Sequence, residues 1–127
     1  MKIIKHLSER NYLYLAVIWA VLIAVLSLVS LNSISKEINI SSNDKFFHFV
    51  FYAILTVLLL LYKRKTKYNL LIILFVIIYG IIIEILQALL TTNREADIYD
   101  AIANSLGAIT GLVLLRIVKN KKNNKNF

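Results

Sequence analysis

Four long apolar stretches, separated by short polar segments, make up most of the chain. They cover residues 12–31, 45–62, 70–90 and 98–118. Crossing about 30 Å of hydrocarbon as an α-helix takes roughly 20 residues, and three of the stretches have that length. The second is slightly short but can be extended by the residues before it. The pattern predicts an all-α fold, an integral membrane bundle of four transmembrane helices. Residues 119–127 are polar, and we expect them to form a disordered tail on the membrane surface.

The composition agrees with a membrane-embedded chain. Of the 127 residues 59% are hydrophobic, and the mean hydropathy is +0.72. The first apolar stretch is longer than the core of a cleavable signal peptide, and no Ala-x-Ala-like site follows it. We therefore expect it to be a membrane span and not a cleaved signal peptide. Because the chain has no cysteine, a disulfide framework, a thiolate nucleophile and a Cys-based metal site are excluded. We expect a single transmembrane domain over residues 1–127, without repeats.

The basic residues indicate an orientation in the membrane. The chain carries 15 Lys and Arg against 7 Asp and Glu. Twelve of these 15 bases lie in residues 2–10, 63–67 and 116–125, which would all lie on one side of a four-helix bundle. Positive charge favours the cytoplasmic side, so both termini are predicted to be cytoplasmic. The bases are not interleaved with aromatic residues along one face, and therefore no nucleic-acid partner is expected.

Polar residues interrupt the second and third apolar stretches at helical spacing. Asp44, His48 and Tyr52 recur every four residues and so share one face of the second helix. Glu84 and Gln87 lie one turn apart near the outer end of the third helix. A carboxylate in the middle of a membrane helix costs at least about 2.5 kcal/mol on insertion scales. Glu84 is therefore expected to face the bundle interior, either with a partner or protonated.

The fourth stretch opens with a second polar stripe. Spacings of three, four, three and four place these residues on one helix face: Asp97, Asp100, Asn104, Gly107 and Gly111. The two glycines form a small-xxx-small face that lets a helix approach its neighbour closely. Lys45 and Arg94 are the basic partners available at the same depth. Three helices thus present polar groups at one level, which predicts an outward-facing polar pocket.

The chain resembles the VanZ-like membrane proteins in three stretches, which read DKFFHFVFYAIL, YGIIIEILQ and READIYDAIANSLGAITG. The resemblance covers roughly residues 43–115, departing from the family pattern at ALLTTN, just before the arginine. Its motif positions are those that periodicity selects: Asp44, Lys45, His48, Tyr52, Glu84, Gln87, Arg94, Asp97, Asp100, Asn104, Gly107 and Gly111. The family takes its name from an accessory protein of teicoplanin resistance found in glycopeptide-resistance gene clusters. The resemblance therefore implies a bacterial cell-envelope protein, multi-pass in the cytoplasmic (inner) membrane, with a link to glycopeptide antibiotics.

These polar residues also have purely structural interpretations. Asp44 could cap the second helix, and Lys45 could extend its ammonium toward the membrane surface. Tyr52 could belong to an interfacial aromatic belt. Gln87 and Asn104 suit interhelical hydrogen bonds, each worth about 0.6–2 kcal/mol. The two aspartates that open the fourth stretch could cap that helix.

One functional class is a binding or accessory protein. In this interpretation Lys45 and Arg94 bind the phosphate of an anionic lipid-linked molecule, such as a cell-wall precursor, or a glycopeptide. The planar guanidinium of Arg matches a phosphate group bidentately. The acidic residues would then position the bases or bind hydroxyl and amine groups of the ligand.

The second class is a membrane enzyme that acts on a lipid-linked substrate. Glu84 or His48 would serve as general acid or base, beside a divalent ion held by Asp97 and Asp100. Against it, the chain offers no obvious nucleophile, no glycine-rich phosphate loop and no metal motif with dependable spacing, so neither a cofactor nor a metal is expected. A proton-coupled carrier is disfavoured because the inner half of every stretch lacks acidic residues.

Overall fold

The computed structural model of the protein describes residues 8–28, 44–90 and 97–125, without the side chain of Asp44. Within these residues the chain is entirely helical. Its elements are α1 (Glu9–Leu28), α2 (Asp44–Tyr62), a short 3₁₀ helix (Thr66–Tyr68), α3 (Asn69–Leu90) and α4 (Ile98–Lys125). The prediction of an all-α chain is confirmed.

All four α-helices are long and apolar enough to cross a membrane. Only 17% to 33% of the most apolar stretch of each helix is buried within the bundle. The remaining surface is rich in exposed aliphatic side chains, among them Ile18, Leu70 and Leu114. Such a surface would be costly in water and suits a lipid environment.

Two helix boundaries differ from the sequence prediction by more than one residue. α1 begins at Glu9, three residues before the predicted start, and the predicted end at residue 31 lies outside the described residues. α4 continues to Lys125, although residues from Lys119 onward were expected to be a disordered tail. The segment 119–125 contains neither Gly nor Pro to end the helix, and Lys residues in a last turn interact favourably with the helix dipole.

α2 and α4 run parallel and touch through their backbones. The point of contact is formed by Gly107 and Gly111, both buried on α4. A Cβ atom on Gly107 would overlap the carbonyl oxygen of Phe49, and one on Gly111 would lie 2.6 Å from the carbonyl oxygen of Ala53. The glycines therefore allow the two helices to approach more closely than any larger residue would permit. Such close packing matters in lipid, where the hydrophobic effect does not drive helices together.

α1 is attached to the bundle by hydrogen bonds from side chains to backbone carbonyl oxygens. The indole N–H of Trp19 donates to the carbonyl oxygen of Phe51 (2.9 Å). The hydroxyl of Tyr79 donates to the carbonyl oxygen of Ala20 (2.5 Å), and the amide of Gln87 donates to that of Ser27 (2.7 Å). The indole of Trp19 also meets the ring of Phe51 edge-on, with the ring centroids 5.6 Å apart. These bonds dock α1 against α2 and α3, with α1 parallel to α3.

Apolar and polar side chains occupy opposite halves of the bundle. The half that contains the α2–α3 connection holds apolar core residues such as Leu60, Ile72 and Val76. At the other end, the start of α2, the end of α3 and the start of α4 come together. The buried polar residues of the described chain lie mostly at that end.

Candidate functional site

Six polar side chains from three helices meet at the end of the bundle away from the α2–α3 connection. We call them the polar cluster: Lys45 and His48 of α2, Glu84 of α3, Asp97 just before α4, and Asp100 and Asn104 of α4. They meet because α2 and α4 run in one direction and α3 runs in the other. The helical spacings that predicted common faces on α2 and α4 place these residues toward one another.

Lys45 lies at the exposed edge of the cluster, between two carboxylates of the α4 region. Its ammonium donates to Asp97 Oδ2 at 3.1 Å and to Asp100 Oδ1 at 3.3 Å. The exposed side-chain fraction falls from 45% for Lys45 and 38% for Asp97 to 9% for Asp100. The cluster is therefore open at this edge and closed further in.

Asp97 also caps α4. Its Oδ1 accepts a hydrogen bond of 2.8 Å from the backbone N–H of Tyr99, the usual role of an aspartate at a helix N-terminus. This N–H and, secondly, the ammonium of Lys45 lower the pKa of the Asp97 carboxyl below its usual value. Asp97 thus both caps α4 and takes part in the charged network with Lys45.

His48, Glu84 and Asp100 form the buried part of the cluster. His48 Nδ1 lies 3.1 Å from Asn104 Oδ1 and 3.9 Å from Glu84 Oε1. One ring nitrogen of His48 and one carboxylate oxygen from each acid all lie within 4.8 Å of one another. A base, two acids and an amide from three helices are thereby brought together out of contact with bulk solvent.

Tyr52 follows His48 on the same face of α2, one turn deeper. It is almost fully buried, so the aromatic-belt interpretation is wrong for this residue. A Cβ atom on Gly80 would lie 3.1 Å from the Tyr52 ring and 3.2 Å from Asn104 Cβ, so the small residue makes room for both side chains. Among the described residues, no hydrogen-bond partner is found for the hydroxyls of Tyr52 and Thr56 or for Asn104 Nδ2.

Five predicted residues lie apart from the cluster or outside the described chain. Gln87 is buried, but its amide donates to the Ser27 carbonyl of α1 and so serves helix docking. Gly107 and Gly111 lie at the α2–α4 contact. Arg94 lies outside the described residues, as does the side chain of Asp44, and their roles stay predictions.

Sequence reasoning missed two buried residues near Tyr52. Thr56 extends the four-residue spacing of His48 and Tyr52 by one more step, so the periodicity could have identified it. Gly80 precedes Glu84 by one helical turn on α3. Neither residue carries a charge, so sequence reasoning that starts from charged residues in apolar stretches passes over both.

Comparison with known proteins assigns the family. No curated protein and no solved structure matches the chain. A family model described as VanZ/LLP1 matches residues 6–119 of the 127. The match includes every residue of the polar cluster, and it confirms the resemblance expected from the three sequence stretches. Together with four helices of membrane-spanning length, it shows that the chain belongs to the VanZ/LLP1 family and is a protein of multi-pass membrane type.

Proposed function

We propose that this VanZ-like membrane protein binds the anionic headgroup of a cell-envelope lipid or a lipoglycopeptide at the open edge of its polar cluster. The observation that carries the proposal is the position of Lys45. Its ammonium is exposed at the edge of an otherwise buried set of polar residues, in a bundle whose outer surface is apolar. A lipid could place its headgroup there while its acyl chains stay in the membrane.

The hydrogen bonds of Lys45 leave capacity for an anionic ligand. An ammonium has three N–H donors, and within the described residues two of them are used by Asp97 and Asp100. The third can bind a phosphate oxygen, and the same carboxylates hold the ammonium in place. Arg94, three residues before Asp97 in the sequence, is the second base in this proposal, because its planar fork suits phosphate.

The proposal includes an orientation and a location. Both termini are cytoplasmic, so the polar cluster opens to the outside of a bacterial cytoplasmic membrane. Because the chain has no cysteine, single cysteines can be introduced without background. Cysteines at Ser35 and Ser42 should react with an impermeant thiol reagent added to intact cells, and one at Thr66 should not. The opposite labelling pattern would overturn the orientation.

Lipid retention tests the binding site itself. Native mass spectrometry of the detergent-released wild type should show a specific anionic lipid species that Lys45→Ala and Arg94→Ala lose. Lys121→Ala is the matched control, since this exposed lysine lies at the far end of α4 and should retain the lipid. Equal amounts of bulk phospholipid in all four proteins would contradict the proposal and give Lys45 a purely structural role.

A contribution to teicoplanin-type glycopeptide resistance belongs to the same proposal. Cells that express the wild type should tolerate more teicoplanin than cells that express Lys45→Ala at the same membrane level. Equal teicoplanin tolerance in the two strains would show that resistance does not depend on the polar cluster.

The contact between His48 and Glu84 favours a second candidate function. A buried imidazole 3.9 Å from a buried carboxylate is a suitable acid–base pair for a reaction on a lipid-linked substrate. If the protein is an enzyme, Glu84→Gln should retain the lipid but fail to convert it, whereas the wild type should release product over time. Lipid recovered unchanged from both proteins would leave binding as the function.

A further inference from the structure

The buried part of the cluster contains one imidazole and two carboxylates, those of His48, Glu84 and Asp100. We infer that they form a binding site for a divalent cation with nitrogen and oxygen preference, of the Zn²⁺ or Mn²⁺ type. Each comes from a different helix, and each side chain is at most 9% exposed. This site does not depend on the lipid proposed above and would exist in its absence.

The distances fit a chelate after small side-chain movements. The three candidate ligand atoms lie within 4.8 Å of one another. At metal–ligand distances of 2.0–2.2 Å, ligands in one coordination shell are about 3.0–3.6 Å apart. Rotations that shift each side-chain tip by about 1 Å would therefore suffice.

Asn104 provides the outer partner that a ligating histidine needs. Such a histidine usually donates its second ring N–H to a fixed acceptor, which sets the tautomer and the ring orientation. Asn104 Oδ1 lies 3.1 Å from His48 Nδ1, and Asn104 is itself almost fully buried. With the proton on Nδ1, the other ring nitrogen, Nε2, has the lone pair for the ion. Because Nδ1 is the nitrogen that lies 3.9 Å from Glu84, ion binding requires a shift of the ring that brings Nε2 toward the acids.

The hydroxyl of Tyr52 is a second, independent indication of a ligand. It lies one turn from His48 on the same face of α2, more than nine-tenths buried, and has no hydrogen-bond partner among the described residues. A water molecule on the ion would supply that partner, since a metal with three protein ligands keeps a position for water. The interaction would remove the cost of burying an unbonded hydroxyl.

The charges of the described cluster also favour a cation. Three carboxylates, those of Glu84, Asp97 and Asp100, face one ammonium, that of Lys45. Lys45 binds the carboxylate of Asp100 through Oδ1, and Glu84 lies deeper, 3.9 Å from His48 Nδ1. A divalent ion between the buried carboxylates of Glu84 and Asp100 would reduce the repulsion between them.

The ligand set selects the class of ion. One imidazole and two carboxylates suit Zn²⁺ and Mn²⁺, whereas Ca²⁺ takes six to eight oxygen ligands. The sequence spacing did not predict this site, because its three residues lie 16, 36 and 52 residues apart in the chain. The divalent site considered from sequence used Asp97, which instead binds Lys45 and caps α4.

Zinc stoichiometry provides the test. The full chain, purified in detergent without a polyhistidine tag, is equilibrated with Zn²⁺, desalted and analysed by elemental mass spectrometry. We expect about one Zn²⁺ per wild-type chain and at least tenfold weaker binding for His48→Ala and Asp100→Asn. The matched control is His6→Ala, because the chain has two histidines and this is the other one. Mn²⁺ in excess should compete.

The outcomes separate a metal site from a hydrogen-bonded network. Asn104→Ala should weaken Zn²⁺ binding about 10- to 100-fold while keeping all three ligands. Should His48→Ala fail to insert, Asp100→Asn and Glu84→Gln preserve side-chain size and decide the question. A wild type that retains no Zn²⁺, or a His48→Ala variant that retains as much as His6→Ala, would overturn the site. Neither result would affect the lipid measurements.

Discussion

Replacing Gly107 by alanine should force α2 and α4 apart. The added Cβ would overlap the carbonyl oxygen of Phe49, which belongs to the rigid backbone of α2 and has no rotamer by which to move away. The same substitution at the other two glycines gives a graded series. Gly111→Ala places its Cβ 2.6 Å from the Ala53 carbonyl oxygen, and Gly80→Ala places it 3.1 Å from a Tyr52 ring atom.

The magnitudes follow from two opposing terms. Alanine in place of glycine stabilises a helix interior by about 1 kcal/mol. Overpacking costs about 1–3 kcal/mol, and more when backbone must move. Ordinary contact begins at 3.4 Å, so Gly111→Ala requires a shift of about 0.8 Å and a net loss of about 1 kcal/mol. Gly80→Ala should be close to neutral, and Gly107→Ala should lose about 2 kcal/mol or more.

Unfolding of the three variants by SDS in detergent micelles, followed by circular dichroism, measures this ranking. Loss of the α2–α4 contact should also separate Lys45 from the two aspartates near the start of α4, so Gly107→Ala should lose anionic lipid. Gly80→Ala is the control with the same chemical change. A Gly107→Ala protein as stable as Gly80→Ala would refute the backbone contact on which the reasoning depends.

Three further substitutions test individual contacts. Trp19→Phe keeps an aromatic ring but removes the donor to the α2 carbonyl, and it should lower the free energy of unfolding by about 0.6–1.7 kcal/mol; an unchanged SDS midpoint would argue against that bond. Gln87→Leu should cost a similar amount and leave lipid and Zn²⁺ retention unaltered, since its amide is directed to α1; lost retention would instead assign it to the binding site. The pKa of Asp97 is lowered by the Tyr99 N–H and by Lys45. Its stabilising contribution is therefore present above the pKa of the unfolded state and is lost as the pH falls through the lowered folded value. Acid titration of stability should show a component that is absent from Asp97→Asn, and identical acid profiles would contradict the pair.

Periodicity predicted the polar faces but not which helix each face meets. Spacing by four assigns His48 and Tyr52 to one side of α2, and burial on that side follows from the cost of polar groups in lipid. Gln87 shows the limit of this reasoning. It lies three residues from Glu84, so their directions differ by only about 60°, yet that rotation directs its amide toward α1.

Hydropathy also failed at the end of α4. The apolar stretch ends near Val118, but the helix continues to Lys125. Helix formation depends on backbone propensity and end effects, and lysine is a good helix former whether or not a membrane surrounds it. Hydropathy therefore marks the part of a helix that can lie in hydrocarbon and not the end of the helix itself.

The way in which α1 is attached has a consequence for mutational tolerance. Two of its three docking bonds use main-chain oxygens of α1 as acceptors, those of Ala20 and Ser27. A substitution at either position changes the side chain and leaves the acceptor in place. The specificity of docking is thus carried by the donors, Tyr79 and Gln87 on α3. Saturation mutagenesis should find these two donor positions restrictive and the two acceptor positions permissive to any residue that fits the space.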